Sequence, residues 1–222
     1  MGLNKQKGNM YPFVDYTWNV IKGECPHDCS YCYMKVYPNL PELHLDQKEL
    51  KVDLGEGNFI FVGSSCDMWA EAVPSNWIEL VLEKCQEHNN RYLFQSKNPG
   101  RFQYYLMVFP LHSVFGTTIE SNRSEIGSAP LPYYRYKAMR ELPGHKMVSI
   151  EPIMDFDLYT MVKWIGEIAP DFVSIGADSK GHHLPEPSPE KVKVLIEELN
   201  NFTVVRIKGN LERLKVAEEV VN

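Results

Sequence analysis

The sequence has no uninterrupted apolar run approaching the ~18 residues that a membrane-spanning helix needs, so no membrane association is expected. It also lacks internal repeats, low-complexity stretches and linkers, and reads as one domain over 1–222. Met1 to Met10 is polar and carries lysines, without the apolar segment of a secretory signal. A reducing, cytoplasmic location is the resulting expectation. Positive charge is in short supply: 23 Lys and Arg against 29 Asp and Glu give a net charge of −6. That argues against broad nucleic-acid binding, which depends on neutralising phosphates, and leaves room only for a local basic groove. Cysteine is sparse too, with five in 222 residues.

Three of those five fall in one short stretch, Cys25-Pro26-His27-Asp28-Cys29-Ser30-Tyr31-Cys32-Tyr33, at C-x3-C-x2-C spacing. It follows Val14–Ile21, which reads as a strand. A loop buries little and free thiols are reactive, so packing is a poor explanation for three of them. Gathered thiolates select zinc or an iron–sulfur cluster. A structural zinc site needs a fourth ligand, for which His27 and Cys66 are the candidates, although His27 sits cramped between two cysteines. A disulfide framework needs an oxidising compartment. A [4Fe–4S] cluster held by Cys25, Cys29 and Cys32 keeps one iron open for a small molecule.

Downstream, short apolar strands alternate with amphipathic helices. The predicted strands are 58–62, 92–94, 114–117, 147–150, 172–175 and 204–207. The predicted helices begin at an N-cap Ser75 and cover 101–107, 133–142, 158–168, 189–199 and 211–220, with a further short one near 42–50. Ser188 before Pro189 is a strong start signal for the 189–199 helix. In the first helix Ile78, Val81, Leu82 and Cys85 share one face, which gives Cys85 a core role. The alternation implies βαβ units and a parallel sheet. Six or seven units are too few for a closed eightfold barrel, leaving a partial barrel or an open doubly wound sheet.

Parallel α/β folds bind ligands at the carboxyl ends of their strands, and polar residues collect there. They include Ser64, Ser65, Cys66 and Asp67 after the second strand, and Gln95, Ser96 and Lys97 after the third. Thr117, Thr118, Glu120, Asn122 and Arg123 follow the fourth, Glu151 the fifth, Asp178, Ser179 and Lys180 the sixth, and Lys208 the last. Each taken alone serves equally as a helix cap. Together they define a binding rim.

The cysteine stretch resembles the signature of the radical S-adenosylmethionine (SAM) superfamily, with Tyr31 at its aromatic position. The longer form Asp28-Cys29-Ser30-Tyr31-Cys32-Tyr33 looks like that of the spore photoproduct lyase family and a phage-associated radical SAM family. The resemblance implies an α/β fold, a partial (β/α)6 TIM-like barrel, and an enzyme. It implies a [4Fe–4S] cluster whose open iron chelates SAM, reductive cleavage of SAM to methionine and a 5′-deoxyadenosyl radical, and hydrogen abstraction from a substrate. The substrate it implies is a nucleotide or nucleic-acid base first and a peptide or protein glycine next. A flavodoxin- or ferredoxin-like one-electron donor is the implied partner. Ser64 and Ser65 stand where such proteins hold the SAM amino group, and Tyr31 near the adenine. Gln95, Ser96, Thr117 and Glu151 join the cofactor set on the rim, with Glu120 for the ribose and Arg123 for the carboxylate. Cys66 is implied as a hydrogen-atom donor to the substrate radical, against a plainer role as a small apolar filler. The other classes kept open are a zinc-stabilised binding module without turnover and a SAM-binding electron-transfer protein.

Overall fold

A computed structural model describes residues 3–123 and 127–214. The strands are β1 (Asn4–Lys5), β2 (Tyr16–Trp18), β3 (Ile21–Lys22), β4 (His44–Leu45), β5 (Phe59–Val62), β6 (Arg91–Ser96), β7 (Ser113–Thr118), β8 (His145–Ile150), β9 (Phe172–Ile175) and β10 (Val204–Ile207). The α-helices are α1 (Ser75–Gln86), α2 (Pro132–Glu141), α3 (Leu158–Ile168) and α4 (Pro189–Asn200). One sheet runs β1-β2-β5-β6-β7-β8-β9-β10, with seven parallel strands and β1 antiparallel at its edge. Among the described residues no helix is long and apolar enough to cross a membrane.

The strand order never reverses. Right-handed crossovers in an unreversed order put every helix on the same face of the sheet. The sheet therefore curls into a partial barrel rather than a doubly wound sheet, as expected, and its inner face must be filled by side chains. Period-2 alternation divides the residues between the faces. Ile60, Val62, Tyr92, Phe94, Val148 and Ile150 face outward and pack with the helices. Phe61, Leu93, Val114, Met147 and Phe172 form a separate inner cluster, completed by Tyr11 and Val14 from the N-terminal segment. Phe13 meets Phe172 edge-on at 4.9 Å, and the Arg206 guanidinium lies 4.0 Å from the Phe172 ring centroid. This apolar layer closes the lower barrel. One step up, Gly116 pairs with Gln95, and a methyl group there would meet Gln95 Cβ at 3.1 Å.

Several predicted elements differ in the structure. The predicted strand 14–21 is two strands, β2 and β3, because Asn19 leaves the sheet to bind the turn after β5. The stretch 42–50 is β4, paired with β3, followed by a 3-10 turn rather than a helix. Residues 101–107 lie in or just after a 3-10 segment, Pro99–Tyr105, which is anchored by Arg101 donating to the Ala70 and Val73 carbonyls. Ser75 is the first residue of α1, not its cap, and its hydroxyl accepts from Arg101. In the last predicted helix, Gly209–Leu214 is 3-10, and 215–220 lies outside the described residues. Ser188 does cap α4, accepting the Lys191 N–H at 3.3 Å. The antiparallel β1 carried no sequence signal, being two polar residues held by backbone pairing.

Just before the cysteine loop, the β3–β4 ribbon crosses itself closely at Gly23. Its φ of +101° suits glycine, and a Cβ there would stand 2.3 Å from the Glu42 carbonyl oxygen. Gly23→Ala should lower stability by about 1–3 kcal/mol from backbone strain alone. The check is the midpoint of urea unfolding, which should fall.

Candidate functional site

The cysteine loop leaves β3 and winds through two successive tight turns. Asp28 N–H donates to Cys25 O and Cys32 N–H to Cys29 O, both at 3.1 Å, with Asp28 at φ +43° between them. All five cysteines are free; Cys29 is buried while Cys25 and Cys32 are partly exposed. The three loop cysteines lie on one wall of a cavity of about 470 Å³ at the carboxyl ends of the strands, a size typical of ligand pockets.

Facing the loop is the turn Gly63–Asp67, after β5. Gly63, at φ +78°, donates its N–H to Trp18 O at 2.8 Å, and Asn19 Oδ1 accepts from Ser65 N–H and Ser64 Oγ. Asp67 ties the surroundings together. Its carboxylate accepts from Trp69 N–H (2.9 Å), Ser96 Oγ (2.9 Å) and Lys97 N–H (2.8 Å), and lies 2.9 Å from His27 Nε2. Burial alone would raise its pKa; His27 and the backbone donors outweigh burial and hold it below the usual carboxylate range. Asp67 N–H in turn points at Cys25 Sγ, 3.5 Å away. The neighbouring Cys66 thiol is the largest influence lowering the pKa of the Cys25 thiol, against the opposing effect of burial. Burial pushes the Cys29 thiol up to about 11.

Behind the loop lies a buried ionic cluster. Glu120 is fully buried and binds Arg135 Nη1 at 2.9 Å, Lys97 Nζ at 3.4 Å and the Tyr31 hydroxyl. Burial would raise the Glu120 pKa, but Lys97, Arg135 and Tyr31 together leave it lowered. Burial works against the Lys97 charge, yet Glu120 and Cys29 keep its pKa raised. One carboxylate thus serves two cations, and the Lys97 ammonium borders the cavity next to the thiols.

The floor is the upper polar layer of the barrel, Gln95, Thr118 and Ser149. Gln95 Nε2 donates to Thr118 Oγ1 at 3.0 Å, while Gln95 Oε1 is buried without a partner. The wall opposite the cysteines carries Glu151, whose carboxylate accepts from Lys208 Nζ (2.9 Å) and Asn9 Nδ2 (3.0 Å). Gly176 makes room for it, since a Cβ there would be 2.8 Å from Glu151 Oε1. Tyr11 donates to Ser149 Oγ at 2.8 Å.

Of the residues given a cluster, cofactor or hydrogen-donor role from sequence, Cys25, Cys29, Cys32, Tyr31, Ser64, Ser65, Cys66, Gln95, Ser96 and Glu151 border this cavity. Three lie elsewhere. Arg123 is turned outward onto Asp155 and Asp157 at the surface, away from the cavity. Glu120 sits behind Tyr31 and Lys97, and its partner is Arg135, not Arg123. Thr117 points to the outer face and donates to Ser96 O at 2.7 Å, while Thr118 takes the inner position. Period-2 counting from Gln95 through Gly116 would have found Thr118. Nothing local in α2 marks Arg135 as Glu120's partner.

In chemistry the donor set suits an iron–sulfur cluster: three free thiols line one cavity, and the Asp67 N–H points at Cys25 Sγ. Of the two candidate fourth zinc ligands, His27 lies 2.9 Å from Asp67, and Cys66 lines the cavity with the loop cysteines. Among the described residues no group of three His, Cys, Asp or Glu side chains is gathered as a ready-made site for a metal ion.

No family model matches the chain, and no curated protein does. Solved structures do match, and they show the fold, a partial TIM-like barrel. Spore photoproduct lyase is among the matching proteins. A Cys-to-Ser mutant of it superposes with TM-score 0.65 at 11% identity, covering 91% of this chain and 78% of that one. A Cys-to-Ala mutant gives 0.66 at 12%, covering 93% and 80%. A mutant with bound AdoMet and dinucleoside spore photoproduct gives 0.55 at 12%, covering 90% and 66%. At these identities the likeness is one of fold.

The ionic cluster makes a stability prediction. Glu120→Gln leaves two buried cations without their counter-charge, at a cost of about 3–5 kcal/mol. Because the folded-state pKa of Glu120 is lowered, its contribution is complete above the ordinary glutamate range near 4.5 and is lost as pH falls through the lower folded value. Denaturation at pH 7 should therefore show a large gap between the variant and the parent, narrowing progressively below about pH 4.5.

Proposed function

We propose that this chain is a single-domain radical SAM enzyme whose cluster is held by Cys25, Cys29 and Cys32. The observation that carries the reading is the set of three free thiols on one wall of a cavity at the strand ends, beside a buried ammonium. When bound there, the cluster and SAM supply reductive cleavage to methionine and a 5′-deoxyadenosyl radical that removes hydrogen from a substrate. An external flavodoxin- or ferredoxin-like protein supplies the electron.

The chain's own residues position and enclose. Lys97 replaces Arg123 as the cation for the SAM carboxylate, since it faces the cavity and shares Glu120 with Arg135. The Ser64 and Ser65 turn, fixed by Asn19, offers polar groups for the amino end, and Tyr31, held by Glu120, gives a ring at the cluster edge. Gln95 Oε1 and Thr118 on the floor, with Glu151 opposite, orient the bound molecules.

A nucleotide or nucleic-acid base is the preferred substrate, ahead of a peptide glycine. Four lysines, Lys7, Lys97, Lys180 and Lys208, border the cavity of a chain whose net charge is −6, beside the carboxylates Asp67, Glu151 and Asp178. Lysines at the opening offer contacts to a phosphate-bearing ligand. The structural neighbour solved with AdoMet and a dinucleoside photoproduct supports the same choice.

Anaerobic reconstitution should load a [4Fe–4S] cluster, and reduction with SAM should release 5′-deoxyadenosine. Ala at Cys25, Cys29 or Cys32 should abolish both, while Cys85→Ala, in the α1 core, should keep its iron. A colourless protein with one zinc would overturn the reading. Lys97→Ala should remove a charge-assisted contact worth about 1.5–3 kcal/mol, a 10- to 150-fold loss of SAM affinity, and Arg123→Ala should change little. Titrating SAM against the cluster's absorbance measures both.

A further inference from the structure

The side of the cavity that follows β9 holds neither the loop cysteines nor Lys97. Its centre is Asp178, whose side chain is 5% exposed. The carboxylate collects three donors from its own turn, the Lys180 N–H (3.0 Å), the His182 N–H (2.5 Å) and His182 Nδ1 (2.7 Å). Burial alone would raise its pKa; the His182 ring and the two backbone donors outweigh burial and hold it below the usual carboxylate range. Arg213 and Asn210 tie down the base of the turn, donating to the Asp178 and Ala177 carbonyls, both at 2.8 Å. Lys180 and His182 both border the cavity from this turn. A carboxylate only accepts, so His182 carries a hydrogen on Nδ1 and leaves its Nε2 edge for a ligand. The carboxylates that border the cavity are already engaged, Asp67 and Asp178 as described and Glu151 by Lys208 and Asn9. Lys180, and Lys7 from the N-terminal segment, form no ion pair among the described residues.

We propose that the turn Asp178–His182 holds a phosphate of the substrate, with Lys180 and His182 as its contacts. The inference deepens the nucleotide part of the reading above and rests on it. Lys97 and the cysteine loop serve the cofactor on one side of the cavity, and this turn serves the substrate on another. A bound phosphate brings the negative charge that favours an imidazolium, which then donates from both nitrogens, Nδ1–H to Asp178 and Nε2–H to the phosphate. Lys180 adds a mobile cation from two residues away in the same turn. Asp178 is a positioning residue. It fixes the ring and, through the two N–H groups, the turn that carries Lys180. A turn closed only for its own stability predicts that charged and neutral ligands respond alike when these side chains are changed.

The test is calorimetric titration of the reconstituted full chain in phosphate-free buffer. The probe is the dinucleoside monophosphate dTpdT, and the control is thymidine, which lacks the phosphate. The parent should bind dTpdT more tightly than thymidine, and inorganic phosphate should compete with dTpdT. Lys180→Ala and His182→Ala should each weaken dTpdT roughly 3- to 30-fold and leave thymidine unchanged. Lys180→Arg keeps the cation and should stay near the parent. Asp178→Asn removes the counter-charge behind the ring and should also weaken dTpdT alone. Equal affinity of the parent for dTpdT and thymidine overturns the inference. So do Ala variants that lose both ligands alike or neither, and so does a parent that binds inorganic phosphate but not dTpdT. A chain that loads no iron overturns the radical SAM reading instead, and the same titrations on the chain as purified still decide the phosphate contact.

Discussion

A carboxylate removed from water has to be satisfied on every side, and Asp67 is satisfied by the parts of the chain that build the site. His27 comes from the cysteine loop, Ser96 and Lys97 from the end of β6, and Trp69 from the start of the crossover to α1. None of these segments can shift without leaving a buried charge short of donors, which would be more costly than losing an exposed contact. The cysteine loop has little regular structure of its own. Its position depends on this carboxylate and on the β3–β4 ribbon behind it.

The second buried charge group works differently. Glu120 serves both Arg135 and Lys97, so the cluster carries one more positive than negative charge. An excess cation is expensive in isolation, but here it stands beside thiols, and Cys29 is among the groups that keep Lys97 protonated. Lys97 favours an anionic Cys29 sulfur in turn, although burial outweighs it, and the excess positive charge favours anionic ligands in the cavity. Tyr31 transmits part of this arrangement to the loop, since its hydroxyl is bound to Glu120 while its ring lies 5.1 Å below Lys97 Nζ.

Much of this was readable from the sequence because it is local. Short apolar strands, the stripe of α4, its Ser188 cap and the cysteine spacing all lie within a few residues of one another. The misread elements were settled by distant partners. Arg101 binds carbonyls about thirty residues away and leaves its own segment 3-10 rather than α-helical. Arg123 and Arg135 are equally plausible mates for Glu120 on sequence. Only the packing of α2 against β7 chooses Arg135, while Asp155 and Asp157 take Arg123. Thr117 and Thr118 differ by one step of strand parity, which sends their hydroxyls to opposite faces.

The contrast between a negatively charged chain and a lysine-bordered cavity sets the range over which an anion senses each. Far from the surface an approaching phosphate meets the net charge of −6 and is repelled. Close to the opening it meets Lys7 and Lys180, while Lys208 is paired with Glu151 and Lys97 with Glu120. At physiological salt the screening length is about 8 Å, short enough to mute the distant repulsion while sparing contacts within the cavity. Added salt therefore first removes an obstacle to anionic ligands and only later weakens their capture. Association should be fastest at an intermediate ionic strength, unlike the steady decline seen when a wholly basic surface collects nucleic acid.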